Sequence, residues 1–394
     1  MKLHQQEPRA PRTLGAPSAR HLALIVAIIA LTATIGALVL PRALAPSQPD
    51  AEDLARSAAD RFLDRYLEPD GRVVRRDQGG DTVSEGQAYA MLLAVATGDR
   101  RRFELAWSWA RTHLQRKDGL LSWRWEQGRV ADSNPASDAE VDAAHALVLA
   151  AHRFRQPDYL QEGRRLARSI LTEETVAVGD GTSVLVAGPW ARQEPYIINP
   201  SYFAPGSFAV LQEATGAPQW QLLVRSSHQL VRRLTGDPPA LPPDWARLKH
   251  DGSVQPIGSP SGTPRQPRFS FDAPRLLVRL AADCSRLSRD LAMASGRLLP
   301  LEPGRVAAAY SLRGVPLADY GHPLTQVAAA ATASAAGDPS ATGRLLAHAE
   351  TLDRRSPTYY GAAWLALGRV MLTTTLLSNC PAFSASHQAR SRHD

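Results

Sequence analysis

Apolar residues return along this chain at the spacing of helices that bury one face. Leu54, Ala58, Phe62 and Tyr66 stand four apart, Val141, Ala144, Val148 and Ala151 follow in steps of three and four, and Leu160, Leu166 and Ile170 continue similarly. The same pattern predicts helices over 85–97, 101–115, 206–215, 217–235, 273–284, 286–297, 322–336, 340–354 and 357–376. The last opens on Ser356-Pro357, an N-cap followed by proline at the first helical position. Between the helices, 176–205 and 236–268 are rich in proline and glycine, and loops of that length in a compact domain are functional or hold small strands. About a dozen helices joined by alternating short and long connections suit an all-α toroid whose loops at one end build a cleft. No internal repeat stands out, so periodicity alone leaves an irregular helical bundle open.

Residues 22–40 break this pattern with 19 positions free of charge and proline. As a helix they would span roughly 28 Å, the thickness of a bilayer's hydrocarbon core. The basic residues before them predict a cytoplasmic N-terminus and an exported body. A cleaved signal peptide is the competing reading, because Ala43-Leu44-Ala45 resembles a cleavage site. Pro46 directly after it and the length of the run favour an uncleaved anchor. The expected division is a basic N-terminus over 1–21, a transmembrane anchor or signal segment over 22–40, a linker over 41–50, a folded body over 51–378 and a polar tail over 379–394.

Charge changes the picture only by exclusion. The formal net charge is +7, but the first 45 residues carry five basic residues against Glu7, leaving 40 basic and 37 acidic residues in the rest. A body so nearly balanced gives no footing to nucleic-acid binding. Cys284 and Cys380 are too few and too far apart for a zinc cluster or a C-x-x-C pair; an exported domain would join them as a disulfide, and two unpaired core residues are the alternative. No metal site or cofactor is expected.

Chemistry concentrates in three acidic segments at helix starts. Ser84 with Gln87, and Ser137 with Glu140, fit the capping box, which would put Glu85 and Asp138 at first helical positions. In Ser270-Phe271-Asp272-Ala273-Pro274-Arg275, Asp272 can itself cap, since Pro274 is tolerated in a first turn. Separated carboxylates gathered at helix ends are the equipment of glycoside hydrolysis: one acid protonates the departing oxygen, and a second carboxylate attacks or activates water. A helix N-terminus favours the ionised form, so an acid there needs burial or a neighbouring negative charge to raise its pKa; Asp138 would supply that charge to Glu85.

Four segments then carry a resemblance. Residues 82–93 (TVSEGQAYAMLL), 136–144 (ASDAEVDAA), 199–205 (NPSYFAP) and 271–275 (FDAPR) resemble, in order, segments of glycoside hydrolase family 8, over roughly 52–376. The likeness is to the endo-β-1,4-glucanases that accompany bacterial cellulose synthases. It implies an (α/α)6 barrel (toroid) and an inverting mechanism with Glu85 as general acid and Asp272 as general base. It also implies Asp138 as the acid that binds the sugar at the cleavage point, and Tyr202 and Arg275 in the same subsite. The implied partners are a β-1,4-glucan and a membrane cellulose synthase complex, and the implied place is the outer face of the inner membrane. The chain departs from the family with Ala88 and Ala90 for glycine, Glu140 for aspartate, Phe271 for tyrosine and Pro274 for an aliphatic residue.

Eight tryptophans offer flat platforms for sugar rings. Trp107 and Trp109 lie in an amphipathic helix and are expected in the core, whereas Trp123 and Trp125 follow the turn Lys117-Asp118-Gly119 and are candidates for the cleft wall. Asp142, one turn beyond Asp138, is open between the cleft and a salt bridge, and His145 and His152 are expected as ordinary helix residues.

Overall fold

The structure is a computed structural model and describes residues 50–377 apart from 180, 264 and 284. The 22–40 segment, the tail and the Cys284–Cys380 pair lie outside the described residues. Among those described, no helix is long and apolar enough to cross a membrane.

Among the described residues twelve α-helices follow one another: α1 (Ala51–Tyr66), α2 (Ser84–Thr97), α3 (Arg100–His113), α4 (Ser137–Arg153), α5 (Pro157–Glu173), α6 (Pro205–Thr215), α7 (Gln219–Thr235), α8 (Pro274–Ala281), α9 (Arg286–Gly296), α10 (Pro323–Ala335), α11 (Pro339–Arg355) and α12 (Tyr359–Thr373). Every helix expected from periodicity is present, with ends moved by a few residues. The even-numbered helices pack in a closed ring, α2 on α4, α4 on α6, and so on until α12 returns to α2. The odd-numbered helices pack outside, each against the ring helix that precedes it in sequence, and α1 against α12 and α2. Burial follows the same division. Positions 86–96 of α2 and Leu324–Ala331 of α10 are buried without interruption, as a helix apolar all round must be. By contrast, α5 and α7 bury one stripe and leave charge outside.

Connections alternate in length. A ring helix passes to its outer neighbour through two to four residues, as at Gly98-Asp99, where Gly98 takes φ 80° to end α2. The return connections, apart from residues 356–358 between α11 and α12, are long and carry every strand among the described residues: β1 (Thr82–Val83), β2 (Arg124–Glu126), β3 (Arg129–Asp132), β4 (Thr175–Val178), β5 (Thr182–Leu185), β6 (Tyr196–Ile198), β7 (Trp245–Leu248), β8 (Val254–Ile257), β9 (Arg268–Phe269) and β10 (Tyr310–Ser311). They pair antiparallel in small sheets, β1-β2-β3, β4-β5, β6-β7-β8 and β9-β10. The N-termini of the ring helices are thus gathered at the end where the loops are long. Phe62, Tyr66 and Tyr359 close the ring there: Tyr66, last in α1, meets Tyr359, first in α12, edge-on at 5.7 Å.

The capping boxes do not form: tertiary partners take Gln87, Ser137 and Glu140, and Ser84 Oγ is buried without a partner. Val83 and Ala136 occupy the N-cap positions without side-chain bonds, so Glu85 and Asp138 each become second residues of their helices. Gln87 instead donates to the carbonyls of Gly71 and Ala106 at 2.9 Å, Ser137 donates to Val186 O at 2.6 Å, and Glu140 accepts from Leu121 N at 3.0 Å. The Asp272 side chain does not cap α8 either; the N–H groups of Asp272 and Ala273, just before the helix, donate to Asp244, and Arg275 N donates to the Asp272 carbonyl.

Glu140 lies beside Glu174, both 0 % exposed, with three of their four carboxyl oxygens lacking a partner. Burial holds both pKa values well above the usual range, with the charge of Asp138 adding at Glu140 and that of Glu140 adding at Glu174. A carboxyl raised on folding stabilises below its unfolded pKa and loses that contribution as pH rises towards the folded value. Glu174→Gln, whose amide can donate to Glu140, is therefore expected to raise stability at pH 8 by roughly 1–3 kcal/mol and to change little at pH 4. Thermal midpoints at both pH values check this; an equal shift at both would assign the effect to packing.

Candidate active site

Three ring helices present an acid at the long-loop end. Glu85 and Asp138 are second residues of α2 and α4, and Asp272 stands two residues before α8. Arg275, in the first turn of α8 and 1 % exposed, ties two of them together. Its Nη1 donates to Asp138 Oδ2 at 2.6 Å and to Tyr89 Oη at 3.2 Å, and its Nη2 donates to Asp272 Oδ1 at 2.7 Å. The ring of Tyr202 lies 5.3 Å from the same guanidinium. Five residues singled out from sequence, Glu85, Asp138, Tyr202, Asp272 and Arg275, therefore form one cluster drawn from four parts of the chain.

Two cavities, of about 960 and 660 Å3, share Phe271, Asp272 and Tyr320 in their walls. The smaller is also lined by Glu85, Arg75 and Tyr360; the larger by Trp245, Arg268 and Asp319. Asp272, with 30 % of its side chain exposed, sits where they adjoin. Phe271 and Tyr320 are exposed aromatic faces beside it, the ring of Phe271 resting edge-on against His322 at 5.2 Å.

Not every expected residue reaches a cavity wall. Asp138 is 1 % exposed behind Arg275 and Tyr202 is 8 % exposed, and neither lines the two cavities. A sugar would reach the Asp138 carboxylate only if Arg275 moved. Trp125 packs edge-on against Trp109 at 5.7 Å and against His113 at 4.9 Å; Trp123 is half-buried beside the start of α2, where its carbonyl accepts from Ser84 N. Neither lines the two cavities. Asp142 makes a bidentate salt bridge to Arg279, both contacts 2.7 Å, and His145 is buried against Ser207.

The carboxyls are tuned apart. Glu85 is pushed up to about 7, chiefly by burial and then by the negative charge of Asp138, which together outweigh Arg275 and Arg75. Among the described residues its carboxyl accepts no hydrogen bond that would favour ionisation. Asp272 rises to about 6 by burial, with Arg275 opposing, Asp244 adding, and Asn199 and Trp245 pulling it down. Gly86, next to Glu85, has to be glycine: a Cβ there would lie 2.6 Å from Tyr359 Oη.

Sequence reasoning missed three contributors. Tyr89, one turn after Glu85, supports Arg275 and was legible as its i+4 neighbour. Tyr360 donates to the Phe271 carbonyl at 2.8 Å, and Asp244 holds the backbone around Asp272; each lies far along the chain from what it supports, and nothing local marks it.

Comparison with known proteins gives a consistent assignment. The sequence profile described as Glycosyl hydrolases family 8 matches residues 31–374. A probable endoglucanase of Novacetimonas hansenii is 36% identical over 247 residues, covering 61% of this chain and 70% of that protein. An endoglucanase of Cellulomonas uda is 30% identical over 256 residues, covering 64% and 67%. The structure of an endo-β-1,4-glucanase from Acetobacter xylinum superposes with a TM-score of 0.69 at 29% identity, over 81% of this chain and 98% of that one.

Proposed function

We propose that this chain, which belongs to glycosyl hydrolases family 8, is an endo-acting β-1,4-glucanase that cuts internal bonds of cellulose-like chains with inversion on an (α/α)6 toroid. The observation that carries this is the pairing of Glu85 and Asp272 in the walls of one cavity, the first titrating about 7 and the second about 6. Burial and the charge of Asp138 favour the protonated form of Glu85, while the Arg275 guanidinium favours the ionised form of Asp272 against its burial. We assign Glu85 the role of general acid to the glycosidic oxygen. Asp272 is assigned the role of general base: it takes a proton from the water that attacks the opposite face of the sugar. Arg275 fixes the rotation of the Asp272 carboxylate through Oδ1, and its charge offsets the two buried carboxylates as they change state. The endoglucanase names of the relatives and the open run of two adjoining cavities support a polymer bound along its length. The apolar run over 22–40 supports a body held or released outside the cytoplasm, where a glucan synthase complex would deliver such a chain.

Inversion is tested by following fresh product from cello-oligosaccharides by NMR. The α-anomer is expected first, appearing before mutarotation. Initial β-anomer would mean that a carboxylate attacks the sugar directly, and would overturn the assignment of Asp272.

A further inference from the structure

We propose that Asp244 is a positioning residue for the hydrolysis, its carboxylate gathering the 270–273 backbone beneath Asp272 and placing a negative charge beside the group that activates water. This rests on the reading of Asp272 as the base. Asp244 lies 8 % exposed between α7 and β7, in Pro242-Pro243-Asp244-Trp245. Its Oδ1 accepts three backbone N–H groups, from Ser270 at 3.0 Å, Asp272 at 3.2 Å and Ala273 at 2.9 Å, and its Oδ2 accepts from the Ser270 hydroxyl. Its own N–H donates to Arg268 O at 2.9 Å, so the two segments clasp each other.

Four donors on one carboxylate favour its ionised form, but burial opposes and outweighs them, so its pKa stands above the usual range. Other groups also face Asp272: Arg275 on α8, Glu85 on α2, Tyr360 on α12, Tyr202 and Asn199 from the 200–202 turn, and Trp245 on β7. Asp138 on α4 reaches it through Arg275. Arg268, Arg265 and Asp319 share the cavity wall with Asp244. Of the charges acting on Asp272, Arg275 holds its basicity down and Asp244 restores it. Without Asp244 the base would be a weaker proton acceptor at the pH where Glu85 is still protonated.

The test is the pH profile of kcat/KM on carboxymethylcellulose for the wild-type chain, Asp244→Asn and Asp272→Asn. In the wild type the rising limb reports Asp272 and the falling limb Glu85. Asp244→Asn keeps an oxygen for the backbone donors and removes the charge. Its rising limb is expected to move to lower pH by roughly one unit, its plateau to drop about tenfold, and its falling limb and KM to stay. A rising limb that does not move, whatever the plateau does, would reduce Asp244 to a backbone cap and overturn the inference while Asp272 remains the base. Full hydrolysis by Asp272→Asn would instead overturn the assignment of the base and this inference with it. Should Asp244→Asn fail to fold, 13C-carboxyl titration of wild-type protein labelled at aspartate decides: Asp244 and Asp272 sharing two common steps supports the coupling, and independent single steps refute it.

Discussion

Glu85→Gln is expected to lower kcat on carboxymethylcellulose by roughly 10²–10⁴-fold, the contribution of a positioned general acid, with KM and thermal midpoint nearly unchanged. The fold has little stake in this carboxyl: it accepts no hydrogen bond among the described residues, and an amide of the same shape carries no buried charge. A second substrate sharpens the result. An aryl cellobioside whose phenolate leaves without protonation needs no acid, so the variant should cleave it at close to the wild-type rate while remaining inert on cellulose chains. Equal losses on both substrates would assign Glu85 a structural or binding role, and unchanged polymer hydrolysis would place the acid elsewhere.

Asp272→Asn is expected to lose hydrolysis of both substrates, by a similar factor of roughly 10²–10⁴. Water cannot attack without a proton acceptor whatever the leaving group. Azide is an anion that needs no deprotonation, and it should restore cleavage of the activated substrate through the space the water would use. The product is then an α-configured glycosyl azide, formed by inversion as in the parent reaction. A β-configured azide would mean attack on a covalent glycosyl-enzyme and a retaining mechanism, whereas rescue of Glu85→Gln but not of Asp272→Asn would exchange the roles of the two carboxyls. Because Arg275 donates to Asp272 Oδ1, the asparagine must present its oxygen to that guanidinium, which keeps the side chain in place.

What the sequence disclosed and what it hid divide along a physical line. The ring helices were legible because burial on every side leaves them dense in alanine and aliphatic residues, and the outer helices because they carry one apolar stripe. The clustering of Glu85, Asp138, Tyr202, Asp272 and Arg275 was legible only through resemblance, since these residues span 191 positions of chain. The caps were misread for a related reason. Ser84, Gln87, Ser137 and Glu140 have the local grammar of capping boxes, yet carbonyls and N–H groups from other segments offer Gln87, Ser137 and Glu140 better-placed partners, and Ser84 Oγ is buried without one. Asp244 lies 28 residues from Asp272, and its three backbone contacts leave no trace in spacing or composition. Trp125 shows the converse: a tryptophan after a turn looks available for sugar, but Trp109 and His113 already cover its edges.

The closure of the ring by its first and last helices has a practical bearing on how the enzyme can be handled. Tyr66 ends α1 where Tyr359 begins α12, so the two helices run in opposite senses, and Ala51 and Thr373 both lie at the far end from Glu85 and Asp272. A bead, fusion partner or fluorophore coupled at either of those positions would stand roughly 20 Å from the carboxyls, about the length of a fifteen-residue helix. The polymer could then still thread across the opposite face unhindered.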